Sequence, residues 1–382
     1  MYNFSAPMPY NKDDINKLLD INNLFEKSGI TSLYACVPRS CELFTGFEQS
    51  RNFAFEYSSW SHWKSLFEQV LSRGCDFIYL LNSPRPIDIE NPDFPKSMEK
   101  LDLLLSELKK TGIKRLRVAQ GQLMTYIGKH YRDFEVLAST SLEYKTIWEY
   151  QNFIYFHPEV KQIVPSHDVN KNFKLLSILK KQYPNTEFEL MVNEGCLQGC
   201  PNRIFHEMVN IDKDMIIKND VCFSISYGTS FCTPIIQKYP IHSLLIGTNI
   251  FPWDIDEYAK IGITHFKFVG RDGYDNFNDY LNNFKIYLTG VENIKKINQS
   301  SFSEFTHHLA KSKLLKRLTV KEYKKYLPKI KYLKKYGHLC ASRCGIECRY
   351  CYKCAEKIIK VYKKNLKEKE KQPHYLSACK IN

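Results

Sequence analysis

Eight short apolar runs, each bounded by turn residues, recur along the chain: Ile30–Pro38, Cys75–Asn82, Ile113–Gln120, Phe134–Thr140, Val160–Ser166, Phe188–Glu194, Ser243–Phe251 and Thr264–Arg271. Between them lie segments such as Trp60–Arg73, Ser97–Lys110 and Lys171–Gln182, with apolar positions spaced three and four apart. Period-two runs read as strands and period-3.6 segments as amphipathic helices. Strand and helix alternating eight times is the pattern of an eightfold β/α barrel in the α/β class. An open doubly wound sheet would carry a glycine-rich nucleotide loop after its first strand, and PRSCELFTGF, which follows Val37, is not one.

In a β/α barrel the chemistry sits on the loops after the C-terminal ends of the strands. Those loops hold Arg39 and Cys41, Gln120, Ser139, His167 and Asp168, Glu194 to Arg203, Asn249, and Arg271 with Asp272. Arg39, Ser139 and Arg271 are expected to converge on one mouth. The longest connection, between the sixth and seventh runs, is a cysteine-bearing insertion over 195–242 with Cys196, Cys200, Cys222 and Cys232. Long loops inside compact domains are usually functional.

Near residue 293 the pattern changes to Lys- and Tyr-rich helical sequence around the dense run HLCASRCGIECRYCYKC. Two domains follow: a barrel over 1–293 and a basic, helical, Cys-rich C-terminal module over 294–382. Of 382 residues 43% are hydrophobic and 25% charged, which excludes disordered and collagen-like classes. No run approaches the roughly 20 apolar residues that span a bilayer, and the N-terminus does not pair a basic stretch with an apolar one. A cytoplasmic protein without a membrane partner is expected. The formal charge is +14, yet residues 311–372 carry 21 Lys or Arg against 5 Asp or Glu, so the rest of the chain sums to −2. Tyr323, Tyr326, Tyr332, Tyr336, Tyr350 and Tyr352 interleave with these cations. The segment can bind RNA through charge and stacking, or form the solvated face of a packed helix.

Thirteen cysteines, an odd number in a large chain expected to carry no leader, point to metal or cluster ligation rather than to disulfides. Cys196 and Cys200 flank a glycine-containing turn in EGCLQGCPNRIFH and can hold adjacent corners of a metal site. Cys232, Cys222, Cys41 and His206 are the candidates to complete it. Four sulfur donors suit either zinc or a 4Fe-4S cluster. Cys222 and Cys75 also read as small buried apolar residues.

The second constellation is Cys340, Cys344, Cys348, Cys351 and Cys354, five thiols in 15 residues. Such a group is stable when ligated. Cys344, Cys348 and Cys351 share the spacing of radical S-adenosylmethionine enzymes. In those enzymes a barrel follows the motif, whereas 28 residues follow Cys354 here. A closed structural or electron-transfer cluster, or a zinc knuckle, is the reading taken.

MVNEGCLQGCPNRIFH, the distant Cys232, the GITHFKFVGRD strand, the VLASTSLEY strand and the C-terminal cysteines together resemble the collagenase-like peptidase family, also called peptidase family U-thirty-two. The resemblance spans most of Leu33 to Cys354. It implies a β/α barrel with an oxygen-sensitive iron–sulfur cluster on cysteines like Cys196, Cys200 and Cys232. It also implies chemistry that in several members is oxygen-independent hydroxylation of quinone precursors or of a tRNA uridine, while other members accompany peptide maturation. The first loop and Cys222 depart from the family pattern.

Three functions remain in view. An iron–sulfur redox enzyme or hydroxylase would keep its cluster at the mouth, with Arg39 and Arg271 holding a carboxylate or phosphate of a peptide, tRNA or small aromatic substrate, and would need an electron-donor or maturation partner. A peptidase would use Glu194 as general base beside a metal, or Cys41 with His167 and Asp168. An RNA-binding modification accessory would use the basic tail. The redox enzyme is preferred, since no HExxH or GxSxG motif is present.

Overall fold

The computed structural model describes residues 1–48, 59–84, 93–204, 232, 245, 247–269, 277–293, 325, 332, 335 and 347–370. Eight parallel strands close into a barrel in sequence order: β1 Tyr2–Pro7, β2 Ser28–Ala35, β3 Asp76–Leu81, β4 Arg115–Val118, β5 Glu135–Ala138, β6 Gln162–Ile163, β7 Glu187–Val192 and β8 His265–Phe268. The described helices, labelled in chain order, are α1 Lys12–Leu19, α2 Trp60–Ser72, α3 Phe94–Thr111, α4 Gly121–His130, α5 Ile147–Phe156, α6 Phe173–Gln182, α7 Ile255–Ala259, α8 Phe277–Asn293 and α9 Tyr350–Glu370. The eightfold barrel expected from the periodicity is the fold.

One strand differs from expectation. The N-terminal Tyr2–Pro7 is β1, pairing β2 on one edge and β8 on the other. Ser243–Phe251 is not a strand in its described residues: Leu245 is helical, and 247–251 run as loop into the turn Pro252–Asp254. The reason is pairing. β7 bonds β6 through Gln162 and Glu187 and bonds β8 directly from Glu189 to Val192, so neither of its edges is left for another strand. An apolar run of this length does not distinguish strand from loop by periodicity alone.

The helices form where capping and packing agree. Thr146 and Glu149 make a reciprocal capping box that starts α5. The φ of +89° at Gly112 ends α3, a conformation that costs glycine little. The outward faces of the strands build the core against these helices. At the β8–β1 closure Phe4 stacks on Phe266 at 5.6 Å and meets Phe284 and Tyr287 of α8, and Phe268 lies 4.5 Å from Phe284.

The inward faces are charged. Arg117 of β4, fully buried, pairs Glu189 of β7 at 2.6 Å and donates to Gln162 of β6 at 2.6 Å. Ser5 of β1 donates to the other oxygen of Glu189, and Lys267 of β8 lies over the Tyr34 ring of β2. Nearer the N-terminal end, Arg115 meets Glu135 and Glu187. Aliphatic layers ordinarily fill this space; here buried charges do so and must be paired to be tolerated. No helix among the described residues is long and apolar enough to cross a membrane.

Candidate metal centre at the barrel mouth

The ends of β5, β6 and β7 deliver one network. After β5 a short turn, Thr140–Leu142, ends at Glu143, whose φ of +53° is unusual for a residue with a side chain. After β6, Ser166 caps the turn His167–Val169. After β7, Asn193 also takes a left-handed φ of +57° and turns Glu194 off the strand, a conformation asparagine tolerates. Backbone strain of this kind gathers at functional sites.

Buried His167 is bracketed by two carboxylates: Nδ1 lies 3.5 Å from Glu143 Oε1, and Nε2 lies 3.2 Å from Glu194 Oε2. Burial alone would lower the histidine, but Glu194 and Glu143 outweigh it and raise it to about 9. Burial would raise both carboxyls, yet the His167 pairing brings Glu194 to about 2, and His167, Arg203 and Ser166 bring Glu143 to about 2. Ser166 Oγ donates to Glu143 at 2.7 Å. Lys145 approaches Glu143 at 3.4 Å and Asp168 at 3.0 Å.

The cysteine loop is bolted onto this network. Arg203, 4% exposed, reaches Asp168 at 3.0 Å, Glu143 at 3.4 Å and the Leu197 carbonyl at 2.7 Å. Asp168 accepts from the Gly199 N–H at 2.8 Å, and the φ of +64° at Gly199 makes the turn between Cys196 and Cys200. The Cys196 N–H donates to Glu194 Oε1 at 3.0 Å, while its carbonyl accepts from Thr248 N–H at 3.2 Å. The Cys200 and Cys232 thiols share a hydrogen bond, which lowers Cys200 to about 6 and raises Cys232. Cys196 lies near enough to Cys232 and Arg203 to raise both. A ring nitrogen of His167, a Glu194 oxygen and Cys196 Sγ lie within 4.8 Å of one another, a spacing from which three donors can converge on a metal.

Several expected residues stand elsewhere. Arg39 is exposed on the loop after β2. Ser139 accepts from Ser141 N–H and so serves its own turn. Cys41 is buried, and desolvation with Glu42 and Glu48 nearby pushes its thiol up to about 12, the opposite of what a nucleophile or metal ligand needs. The Cys41–His167–Asp168 set is not assembled: His167 faces Glu143 and Glu194, and Asp168 faces Arg203, Lys145 and Gly199. Arg271, Cys222, His206, Cys340 and Cys344 lie outside the described residues. Cys351 and Cys354 fall one turn apart in α9, with Cys348 just before it and Cys354 buried. None of the described cysteines is in a disulfide.

Glu143 and Lys145 were not among the candidates read from the sequence. The signal was STSLEYK at the end of β5, an acidic and a basic residue two apart on a mouth loop. The lumen charges were legible too, as Arg-Leu-Arg-Val, Glu-Phe-Glu-Leu and His-Phe-Lys-Phe alternate with period two.

No family model and no curated protein matches the chain. Among solved structures, the U32 peptidase Mk0906 is similar at 13% identity and TM-score 0.44 over 59% of this chain and 84% of that one. SrfJ from Salmonella typhimurium is similar at 10% identity and TM-score 0.35 over 72% of this chain and 67% of that one. CpGH84B is similar at 9% identity and TM-score 0.36 over 95% and 73%.

Proposed function

We propose that the chain is an oxygen-independent redox enzyme or hydroxylase of the collagenase-like peptidase kind, with a 4Fe-4S cluster on Cys196, Cys200 and Cys232 at the barrel mouth. The observation that carries this reading is the pairing of the Cys200 and Cys232 thiols from two separate stretches of the insertion, with Cys196 nearby and next to a largely buried Glu–His–Glu set. The donor set fits the group. Thiolates are the cluster's natural donors, Cys200 is already lowered toward the thiolate, and Arg203 offsets the added negative charge. Bound there, the cluster supplies one-electron redox chemistry.

The chain's own residues do the rest. Arg203 and Asp168 fix the cysteine loop, Glu194 and His167 hold a proton at Nε2 beside it, and Lys145 and Arg39 offer cations on the rim to a carboxylate or phosphate. The substrate is a peptide, a tRNA base or a small aromatic acid. Electrons come from a partner protein or from a second cluster on Cys340, Cys344, Cys348, Cys351 and Cys354, for which zinc is the alternative occupant; the basic tail is the RNA contact. The peptidase reading is the weaker one. A carboxyl held near 2 by His167 is a poor general base, and the buried Cys41 thiol is not activated.

The test is anaerobic purification of the full chain, with iron, sulfide and zinc analysis, on wild type, Cys200→Ala and Cys348→Ala. About four irons lost from Cys200→Ala supports the reading. Stoichiometric zinc without iron in wild type rejects it.

A further inference from the structure

We infer that the outward face of α5 is a homodimer interface, on which a second copy of this chain packs its own α5 about a two-fold axis.

The helix reads IWEYQNFIYF, seven apolar or aromatic residues and a single ionised one in ten positions. A surface helix keeps one stripe apolar, whereas a helix that is apolar all round is covered all round. Tyr150 and Phe153 are buried on the inner side, Tyr150 against Phe188 of β7. The outer side is left to Trp148, Tyr155 and Phe156, which are 71%, 80% and 70% exposed. Trp148, Gln151 or Asn152, and Tyr155 recur every three or four positions and so share a face. They line a groove with Ile154 and with Tyr183 at the end of α6. Tyr155 and Phe156 meet edge to face at 5.4 Å, which carries the patch to the last turn of the helix.

Area selects the occupant. Aromatic side chains present about 150–250 Å² each, so these three rings leave roughly 450 Å² in water. Homodimer interfaces are about 65% apolar, so this patch is the apolar share of about 700 Å² per copy, close to the roughly 800 Å² of a stable interface.

Charge agrees with area. Glu149 is turned into the capping box of its own helix, and Lys145 is engaged by Glu143 and Asp168. The α5 face therefore sets no ion against the copy of itself that a two-fold axis brings opposite. It also offers no free cation to an acidic protein or a phosphate. Gln151 and Asn152, near its middle, carry amides that both donate and accept, so each can meet its own counterpart across the axis. Antiparallel packing then sets Trp148 against Tyr155 and Phe156 of the second copy, twice over.

The test is sedimentation equilibrium of the full chain, purified anaerobically, from low to high micromolar concentration. Wild type is expected at twice the 45.0 kDa chain mass. Tyr155→Glu and Phe156→Glu place a charge in the interface and should weaken association about 30-fold or more, the size of a central aromatic hot spot. Leu103→Glu, at a half-exposed position of α3, leaves association unchanged. All three variants keep the wild-type circular dichroism, since the substituted side chains stand in solvent in the single copy. To place the contact, Tyr155→p-benzoylphenylalanine is photolysed in an equal mixture of unlabelled and 15N-labelled chain, and mixed-label cross-links from position 155 into 148–156 are expected. A monomeric wild type overturns the inference, as does a dimer undisturbed by both α5 variants or cross-linked only through other surfaces. A monomer that floats with vesicles of phosphatidylglycerol and phosphatidylcholine overturns it too, and gives the face to a membrane.

Discussion

Removing the Arg203 guanidinium should unlatch the cysteine loop from the barrel. In Arg203→Met the Asp168 and Glu143 carboxylates, 3% and 5% exposed at their side chains, lose the cation that lies 3.0 and 3.4 Å away. Two cations remain, His167 against Glu143 alone and Lys145 against both carboxylates, and Lys145 is 39% exposed and screened by water. Breaking a buried ion pair by deleting one partner costs about 3–5 kcal/mol, because the other charge stays buried. For a domain of this size each kcal/mol moves Tm by about 2–4 °C, so a fall of roughly 6–20 °C is expected by circular dichroism on metal-free protein. If uncompensated carboxylates cause the loss, adding Glu143→Gln and Asp168→Asn to Arg203→Met recovers most of it, since the two stranded carboxylates are then neutral and His167 keeps Glu194. A triple variant as unstable as Arg203→Met refutes the electrostatic account and assigns the effect to packing and the Leu197 carbonyl contact. A single variant within about 1 kcal/mol of wild type refutes it outright.

Two further perturbations test the scaffold. Glu189→Met strands the fully buried Arg117 and should cost about 3–5 kcal/mol, whereas adding Arg117→Met should recover much of it, giving a coupling of about 2 kcal/mol or more in a urea-denaturation cycle with both single variants; a coupling under about 0.5 kcal/mol would mean the lumen charges act independently. Glu48, fully buried in the loop after β2, has its carboxyl raised by desolvation to about 6 despite donors from Thr45 and Tyr79. Its folded value exceeds the ordinary 4.5, so the native state binds the proton more tightly and stability falls as pH rises from 4.5 through 6, by about 2 kcal/mol. Stability measured against pH in wild type minus Glu48→Gln should show that fall, and a flat or rising difference would contradict it.

Much of this molecule is written locally. Periodicity marks a strand or helix because side-chain direction repeats every two or 3.6 residues whatever lies nearby, and seven of the eight barrel strands overlap runs readable that way. The Cys196–Gly199–Cys200 turn is equally local, since glycine at +64° is a property of one residue. The strand Tyr2–Pro7 alternates in the same way and is as long as β3, and its place in the barrel follows from its pairing with β2 and β8.

Barrel closure decided the rest. Alternating charges such as Arg115 and Arg117 acquire a meaning only when their face becomes a lumen, and their partners come from strands tens of residues away, as Glu189 does. Glu143, His167 and Glu194 are separated by 24 and 27 positions, yet they meet because parallel strands deliver their C-terminal ends to one rim. The sequence by itself determined which residue types could bind a metal and where the chain turns. The tertiary structure chose which of them meet, because contacts across a barrel depend on strand order and register, and no local pattern encodes either.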